Sequence, residues 1–312
     1  MQPKEIIVIC GPTASGKSYL GHHLAKKLDG EIVNCDSMQI YQQIPIITSS
    51  PPQIYREEIP YHLYNFFPIE QEFSLVKYVK FAYDKIEEII AKQKIPIIVG
   101  GTGLYTNSLL FGYNEIPEIA SDIRQNVRKL YTELGQAEFF SKLQSLDSIA
   151  GMKLKQGDTQ RVIRAYEVFL QTEKSIFTFQ AAKNIDTLSH YTFKVIFLHP
   201  ERKFLYHTCD TRLEKIFVGG AIDEIAALHS RFPNLNSSAM KTIGVREIIS
   251  YLVGKNDLQN SLSLAQAKTR QYAKRQITWF KNQIKDKITL EYSDNKQFEE
   301  LVSKVVDDLN TK

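Results

Sequence analysis

The chain is poor in everything that marks a secreted, membrane or metal-clustered protein. Its 312 residues hold three cysteines (Cys10, Cys35, Cys209), with no Cys-x-x-Cys pair and no Cys/His cluster. That excludes a disulfide framework and gives no zinc-site spacing. Cys10 and Cys35 each end an apolar run, so buried free thiols are expected. No apolar stretch approaches the roughly 20 residues that cross a bilayer. The opening "MQPKEIIVICGPTASGK" lacks the layout of a secretory signal, and its "IIVIC" run reads as a strand. A cytoplasmic protein with no membrane partner is expected. Net charge is only +4, which permits nucleic-acid binding without demanding it, so the distribution of charge decides.

What is present begins with "GPTASGKS", residues 11–18, which fits G-x-x-x-x-G-K-[ST] at every fixed position. In such loops backbone N–H groups and the following helix N-terminus point at an anion. Gly11, Pro12, Thr13, Ala14, Ser15, Gly16, Lys17 and Ser18 therefore form a candidate phosphate site. Lys17 adds charge, and the Ser18 hydroxyl is placed for Mg2+.

The first third alternates strand and helix. "EIIVIC" leads into the loop, "SYLGHHLAKKL" has helical spacing, and "EIVNCDS" is a second strand ending near Asp36. A polar, proline-dotted stretch covers 42–71. "SLVKYVKFAYDKIEEIIAKQ" is an amphipathic helix and "IPIIVGGTGLY" a buried strand. This predicts an α/β fold, a phosphate-loop-type parallel sheet flanked by helices. From about Pro117 the texture is helical until "FKVIFLHP", residues 193–200. Ser121 reads as a cap and Gly135 as a stop. An all-helical insertion over 117–188 is expected inside a core of 1–116 and 189–312, with a short "KITLEY" strand and a closing helix from about Asn295.

An ATPase usually has a second apolar strand ending in an acid for the metal. Here "PIIVGGTG" ends in Gly100 and Gly101, a place for close backbone approach to a flat ligand. The nearest acid at a strand end is Asp36, either a metal ligand or, where it is not one, free to act as a base. The residues alone leave phosphoryl transfer incomplete.

"GPTASGKS", "NCDSMQIY", "IPIIVGGTGLY", "GDTQRVIRAYEV", "TIGVRE" and "TRQYAKRQITWF" occur in the order seen in bacterial tRNA dimethylallyltransferases, and the resemblance covers nearly the whole chain. It implies transfer of a dimethylallyl group from dimethylallyl diphosphate, with Mg2+, to N6 of the adenine at tRNA position 37, immediately 3′ of the anticodon. The loop would then hold a diphosphate that leaves. By the resemblance Asp36 is the general base, Thr13 meets the bridging oxygen, and Arg212 grips the diphosphate. Asp36, Ser37, Met38 and Gln39 line the pocket for the flipped base, and the anticodon stem-loop meets Thr102, Arg124, the run Gln160, Arg161, Val162, Ile163, Arg164, and the run Lys241, Thr242, Ile243, Gly244, Val245, Arg246. A monomer is expected.

Arg161 and Arg164 also suit the solvated face of a helix whose apolar side carries Val162, Tyr166 and Phe169. Thr102 suits a helix cap, Arg212 a surface arginine, and His62 either a family histidine or a packing residue. On a helix at about 100° per residue, Ala273, Ile277, Phe280 and Ile284 share a core side. Arg270, Lys274, Lys281 and Lys285 form a cationic stripe beside it that suits an RNA backbone.

The chain also departs from the family. Where the pattern reads Y-R-x-x-x-I-G-T-A-K-P, this chain has "YQQIPIITSSP". Gln42, Ile47 and Ser50 replace arginine, glycine and lysine, which removes two positive charges and bears on donor affinity and on the loop after Tyr41. "GDTQR" stands where N-D-P-Q-R is usual. The rival functions are a small-molecule phosphate-loop kinase, a prenyltransferase acting on free adenine nucleotides, and a non-catalytic RNA-binding protein.

Overall fold

The computed structural model describes residues 5–182, 184–185, 188–235 and 237–310. Five runs carrying β-branched residues and one two-residue strand form a single parallel sheet. They are β1 (Glu5–Cys10), β2 (Gly30–Asn34), β3 (Tyr61–His62), β4 (Ile95–Gly100), β5 (Thr192–Pro200) and β6 (Ile288–Tyr292), in the order β3-β2-β4-β1-β5-β6. Every pair is parallel, with Ile7 opposite Ile97 and Val8 opposite Val195. Side chains alternate faces along a strand. Ile7, Ile9, Ile32, Ile97 and Val99 therefore meet one apolar cluster that includes Leu20 and Leu24.

The helices are α1 (Lys17–Lys27), α2 (Gln53–Glu58), α3 (Leu75–Ala91), α4 (Gly103–Phe111), α5 (Ser121–Leu146), α6 (Ser148–Lys153), α7 (Thr159–Thr172), α8 (Ile176–Gln180), α9 (Arg202–Ile216), α10 (Ile222–Arg231), α11 (Val245–Leu252), α12 (Leu258–Gln283) and α13 (Asn295–Asn310). In α3, Ser74 caps the start by accepting from the Lys77 amide, and Tyr78, Val79, Ala82, Ile86, Ile89 and Ile90 make the buried face. Burying each Ile there contributes roughly 1.5–3 kcal/mol. The helix packs on β2 and β4.

The chain divides into two compact units, Met1–Leu110 with Thr187–Lys312, and Phe111–Asp186. The second unit is helical with its own core of Val127, Phe139, Leu143, Ala150, Val162, Ala165, Tyr166 and Val168. Gly135 breaks α5 at φ 72, where one helical segment ends and the next begins. The stretch 42–71 is more structured than its polar, proline-dotted sequence suggests, since it carries α2 and β3. Both are too short to leave a periodic signal. All three cysteines are buried and free. Burial raises the Cys35 and Cys209 thiols to about 11 and pushes Cys10 up as well. No helix is long and apolar enough to cross a membrane among the described residues.

Candidate active site

In open parallel sheets ligands collect beyond the carboxyl ends of the strands. β1, β2 and β4 all end at one place here, and the turns after them build the site. After Cys10 the loop turns through Gly11 and through Gly16, whose φ of 76 is cheap only for glycine. Inside the loop the Ser15 hydroxyl donates to the Pro12 carbonyl at 2.8 Å, and the Lys17 ammonium donates to the same carbonyl. From outside, the Tyr292 hydroxyl donates to the Ser15 carbonyl at 2.6 Å. The Thr13 amide donates to Gln276 Oε1 at 2.8 Å, while Gln276 Nε2 donates to the Gly101 carbonyl at 2.8 Å. One buried glutamine of α12 thus ties the phosphate loop to the end of β4.

β2 delivers the acid. Asn34, fully buried, accepts the Asp36 amide on Oδ1 at 2.9 Å and donates Nδ2 to the carbonyls of Asp36 and Leu63. Asp36 Oδ1 accepts the Met38 amide at 2.9 Å, and no bond to Oδ2 is made among the described residues. The Thr102 hydroxyl accepts the Ser37 amide at 2.9 Å, so Thr102 joins the turn after β4 to the turn after β2. From α9, Arg212 donates Nη1 to the Thr13 hydroxyl at 3.2 Å and Nε to the Ser49 hydroxyl at 3.1 Å.

Thr13 to Ser18, Asp36, Met38, Gln39, Arg212 and Lys241 to Ile243 line one cavity of about 640 Å³. That is the size of a small-ligand site. Its floor is cationic. Burial lowers Lys17 to about 8, with Arg212 adding to the fall and Asp36 opposing it. Burial also lowers Arg212, although the nearby Asp36 carboxylate works against it. Two cations held below their ordinary proton affinity gain from an entering anion. An acid, a basic floor and apolar walls from Ile47, Leu213, Ile216 and Ile243 suit an amphiphilic anion beside a group that must lose a proton.

Gly11 and Pro12 belong to the loop without lining the cavity, and Ser37 and Thr102 brace it. Gly244 and Val245 are buried, and Arg246 is exposed away from the cavity. In the helical unit Gln160 and Arg161 are exposed on α7 and Arg124 lies on α5. Val162 is buried and Ile163 packs on the same core, so the apolar side of α7 is structural. His62 bonds Glu31 at 2.7 Å and is outside the cavity, the packing alternative.

Two sequence expectations are corrected. Gly100 at the end of β4 and Gly101 and Gly103 after it make room chiefly for protein, and of the three only Gly100 lines the cavity. A Cβ on Gly100 would fall 2.0 Å from the Cys35 carbonyl oxygen, one on Gly101 2.4 Å from Gln276, and one on Gly103 2.5 Å from the Trp279 ring. The cationic stripe is also shorter than its sequence implied. Arg270 is spent on Asp210, at 2.6 and 2.7 Å, an acid from α9 that periodicity on α12 could not reveal. Lys285 lies beyond the helix end, while Lys274 and Lys281 are exposed. The core side behaves as expected, with Ala273, Phe280 and Ile284 buried.

Sequence reasoning missed Asn34, Ser49, Tyr272, Arg275 and Gln276. The last three lie inside the quoted motif "TRQYAKRQITWF", which flagged the segment without giving each residue its task. Arg275 and Tyr272 line the cavity, the guanidinium 5.9 Å from the ring centroid.

The chain is similar to known proteins along nearly its whole length. A tRNA dimethylallyltransferase of Rickettsia bellii is 59% identical over 305 residues, covering 98% of this chain and 96% of that one. Its counterpart in Rickettsia felis is 58% identical, covering 97% and 98%. Among solved structures, a tRNA isopentenylpyrophosphate transferase from Bacillus halodurans aligns at TM-score 0.69 and 28% identity, covering 98% and 95%. A eukaryotic dimethylallyltransferase acting on tRNA aligns at TM-score 0.80 and 28% identity, covering 97% of this chain and 77% of that one. The family model for IPP transferase matches residues 39–283, most of the chain and most of the cavity wall. With a phosphate loop, an acid at the neighbouring strand end and likeness along its length, the chain belongs to the IPP transferase family.

Proposed function

We propose that the chain is a tRNA dimethylallyltransferase. It acts as a monomer in the cytoplasm, moving the dimethylallyl group of its diphosphate to N6 of the adenine at position 37, immediately 3′ of the anticodon. The observation that carries the reading is the shared cavity. A phosphate loop and Arg212 face the same space as Asp36, and no acid follows β4 where an ATPase would hold its metal.

The exocyclic amine is a weak nucleophile because its lone pair is delocalised into the ring. As N6 attacks the allylic carbon, the C–O bond breaks and its electron pair leaves with the diphosphate. Asp36 takes the proton that N6 sheds. Loop amides, Lys17, Arg212 and the Thr13 hydroxyl stabilise the charge growing on the leaving group. The cavity offers a hydroxyl and a carboxylate, hard oxygen donors, and no cluster of three His, Cys, Asp or Glu among the described residues. This fits Mg2+, which takes one or two protein ligands with phosphate oxygens and water. Ser18 would hold it, and the ion would supply further charge neutralisation.

The adenine must leave its stack to reach Asp36. Met38, Gln39, Lys241, Thr242 and Ile243 line the pocket it enters. Gln160, Arg161, Arg164 and Arg124 of the helical unit, with Lys274, are proposed to hold the RNA. The test is incubation with radiolabelled dimethylallyl diphosphate, Mg2+ and unmodified tRNA. Labelled tRNA is expected, with free AMP and ADP unlabelled and no ATP consumed. Label in free nucleotide alone, or product from ATP without prenyl donor, would overturn the reading.

A further inference from the structure

Arg212 is held at two points, and only one is in the phosphate loop. Its Nη1 donates to Thr13 at 3.2 Å, and its Nε donates to Ser49 at 3.1 Å. Ser49 belongs to the loop after Tyr41, the stretch in which this chain departs from its family. The family pattern has alanine at this place, which could not accept from the guanidinium.

That loop is fixed by groups far away in sequence. The Glu224 carboxylate, at the start of α10, accepts the Ile46 amide at 2.7 Å and the Ile47 amide at 2.9 Å, one on each oxygen. Ile47 is buried among α9, α10 and α11, its side chain filling the space a Cβ on Gly244 would need. On the other flank Gln39 Nε2 donates to the Thr48 and Ser49 carbonyls at 2.9 and 3.0 Å. The backbone around Ser49 is thus held from both flanks, and its hydroxyl accepts from the guanidinium.

We propose that Glu224 and Ser49 are positioning residues of the diphosphate site. Glu224 holds Ile46 and Ile47 by their backbone amides, and Ser49, two residues on, aims Arg212 at the anion. Neither touches the reacting atoms. The inference rests on the reading of the cavity as a diphosphate site. It accounts for a loop that has lost the family's lysine and glycine yet still lines the cavity at Ile47, Thr48 and Ser49.

The test is a cycle of substitutions read two ways, by donor KM and kcat in the prenylation assay and by calorimetric binding of pyrophosphate. Ser49→Ala is expected to raise donor KM and pyrophosphate Kd about 3- to 10-fold, the scale of one ordinary hydrogen bond, since Ser49 acts on the anion only through Arg212. The KM for tRNA should stay within about twofold of wild type. In an Arg212→Gln background the same change should have no further effect, because Ser49 acts only through Arg212. Glu224→Gln should act in the same direction as Ser49→Ala, and the pair combined should be no worse than the poorer single by more than about twofold. Equal effects of Ser49→Ala with and without Arg212 would overturn the proposal, as would wild-type donor KM and pyrophosphate binding in Ser49→Ala. Wild-type donor KM and pyrophosphate binding in a folded Glu224→Gln would remove Glu224 from the proposal, and if that variant fails to fold Glu224→Asp is read in its place. Absence of prenyl transfer by the wild-type protein would instead sink the proposed function, and pyrophosphate binding would still judge the positioning.

Discussion

Replacing Asp36 with asparagine isolates the proton from the shape. Asp36 Oδ1 accepts the Met38 amide and its own amide donates to Asn34. Asparagine can keep both bonds, so the turn after β2 should survive. What is lost is a group able to take the N6 proton. General-base loss costs about 10²- to 10⁴-fold, which is about 2.7–5.4 kcal/mol of barrier at 1.36 kcal/mol per decade. A second effect has to be separated from it. Asp36 opposes the burial that lowers Lys17 to about 8. Without that charge Lys17 loses its proton more readily, and donor binding weakens from a lower pH than in the wild type. The assay is therefore run at pH 7 with saturating donor and enzyme in excess over tRNA, following one turnover. The expected result is a 10²- to 10⁴-fold slower rate with tRNA affinity within about twofold of wild type. A single-turnover rate within about threefold of wild type would refute the assignment, since even weak general-base catalysis exceeds that.

Lys17 gives a pH signature. An incoming diphosphate favours the ammonium, so pyrophosphate affinity should fall above about pH 8 in the wild type, and Lys17→Arg, charged throughout, should abolish the fall. Calorimetry from pH 7 to pH 9.5 checks it. Stability has the opposite sign: the unfolded lysine keeps its proton up to the ordinary 10.5, so Lys17's contribution rises between pH 8 and 10.5. The RNA surface is tested by Lys274→Glu with Lys281→Glu, both exposed. The tRNA KM should rise several-fold, the donor KM should not move, and each lost phosphate contact should reduce the magnitude of the salt slope by about 0.7–0.9. An unchanged slope would return these lysines to a solvated face.

Local pattern was enough for part of this protein. "EIIVIC" before "GPTASGKS" determined a strand, an anion loop and a helix, because β-branched runs, loop glycines and helical spacing act within a few residues. The period of α3 and of the core side of α12 was legible for the same reason, as was the acid at the end of β2. Motif order along the chain pointed to the family and named Thr13, Asp36 and Arg212. Other features depend on groups distant in sequence. That Arg270 is neutralised, that Gly100, Gly101 and Gly103 yield to Cys35, Gln276 and Trp279, and that Gln276 joins two loops could be learned only from packing. Contacts of that kind carry no periodicity, since each partner is set by where another helix lands. The loop from Ile46 to Ser50 is the clearest case. Its sequence showed only what it had lost against the family pattern. Tertiary structure gave it an anchor in Glu224 and a task beside Arg212, because backbone amides find a carboxylate by position in space and not by spacing along the chain.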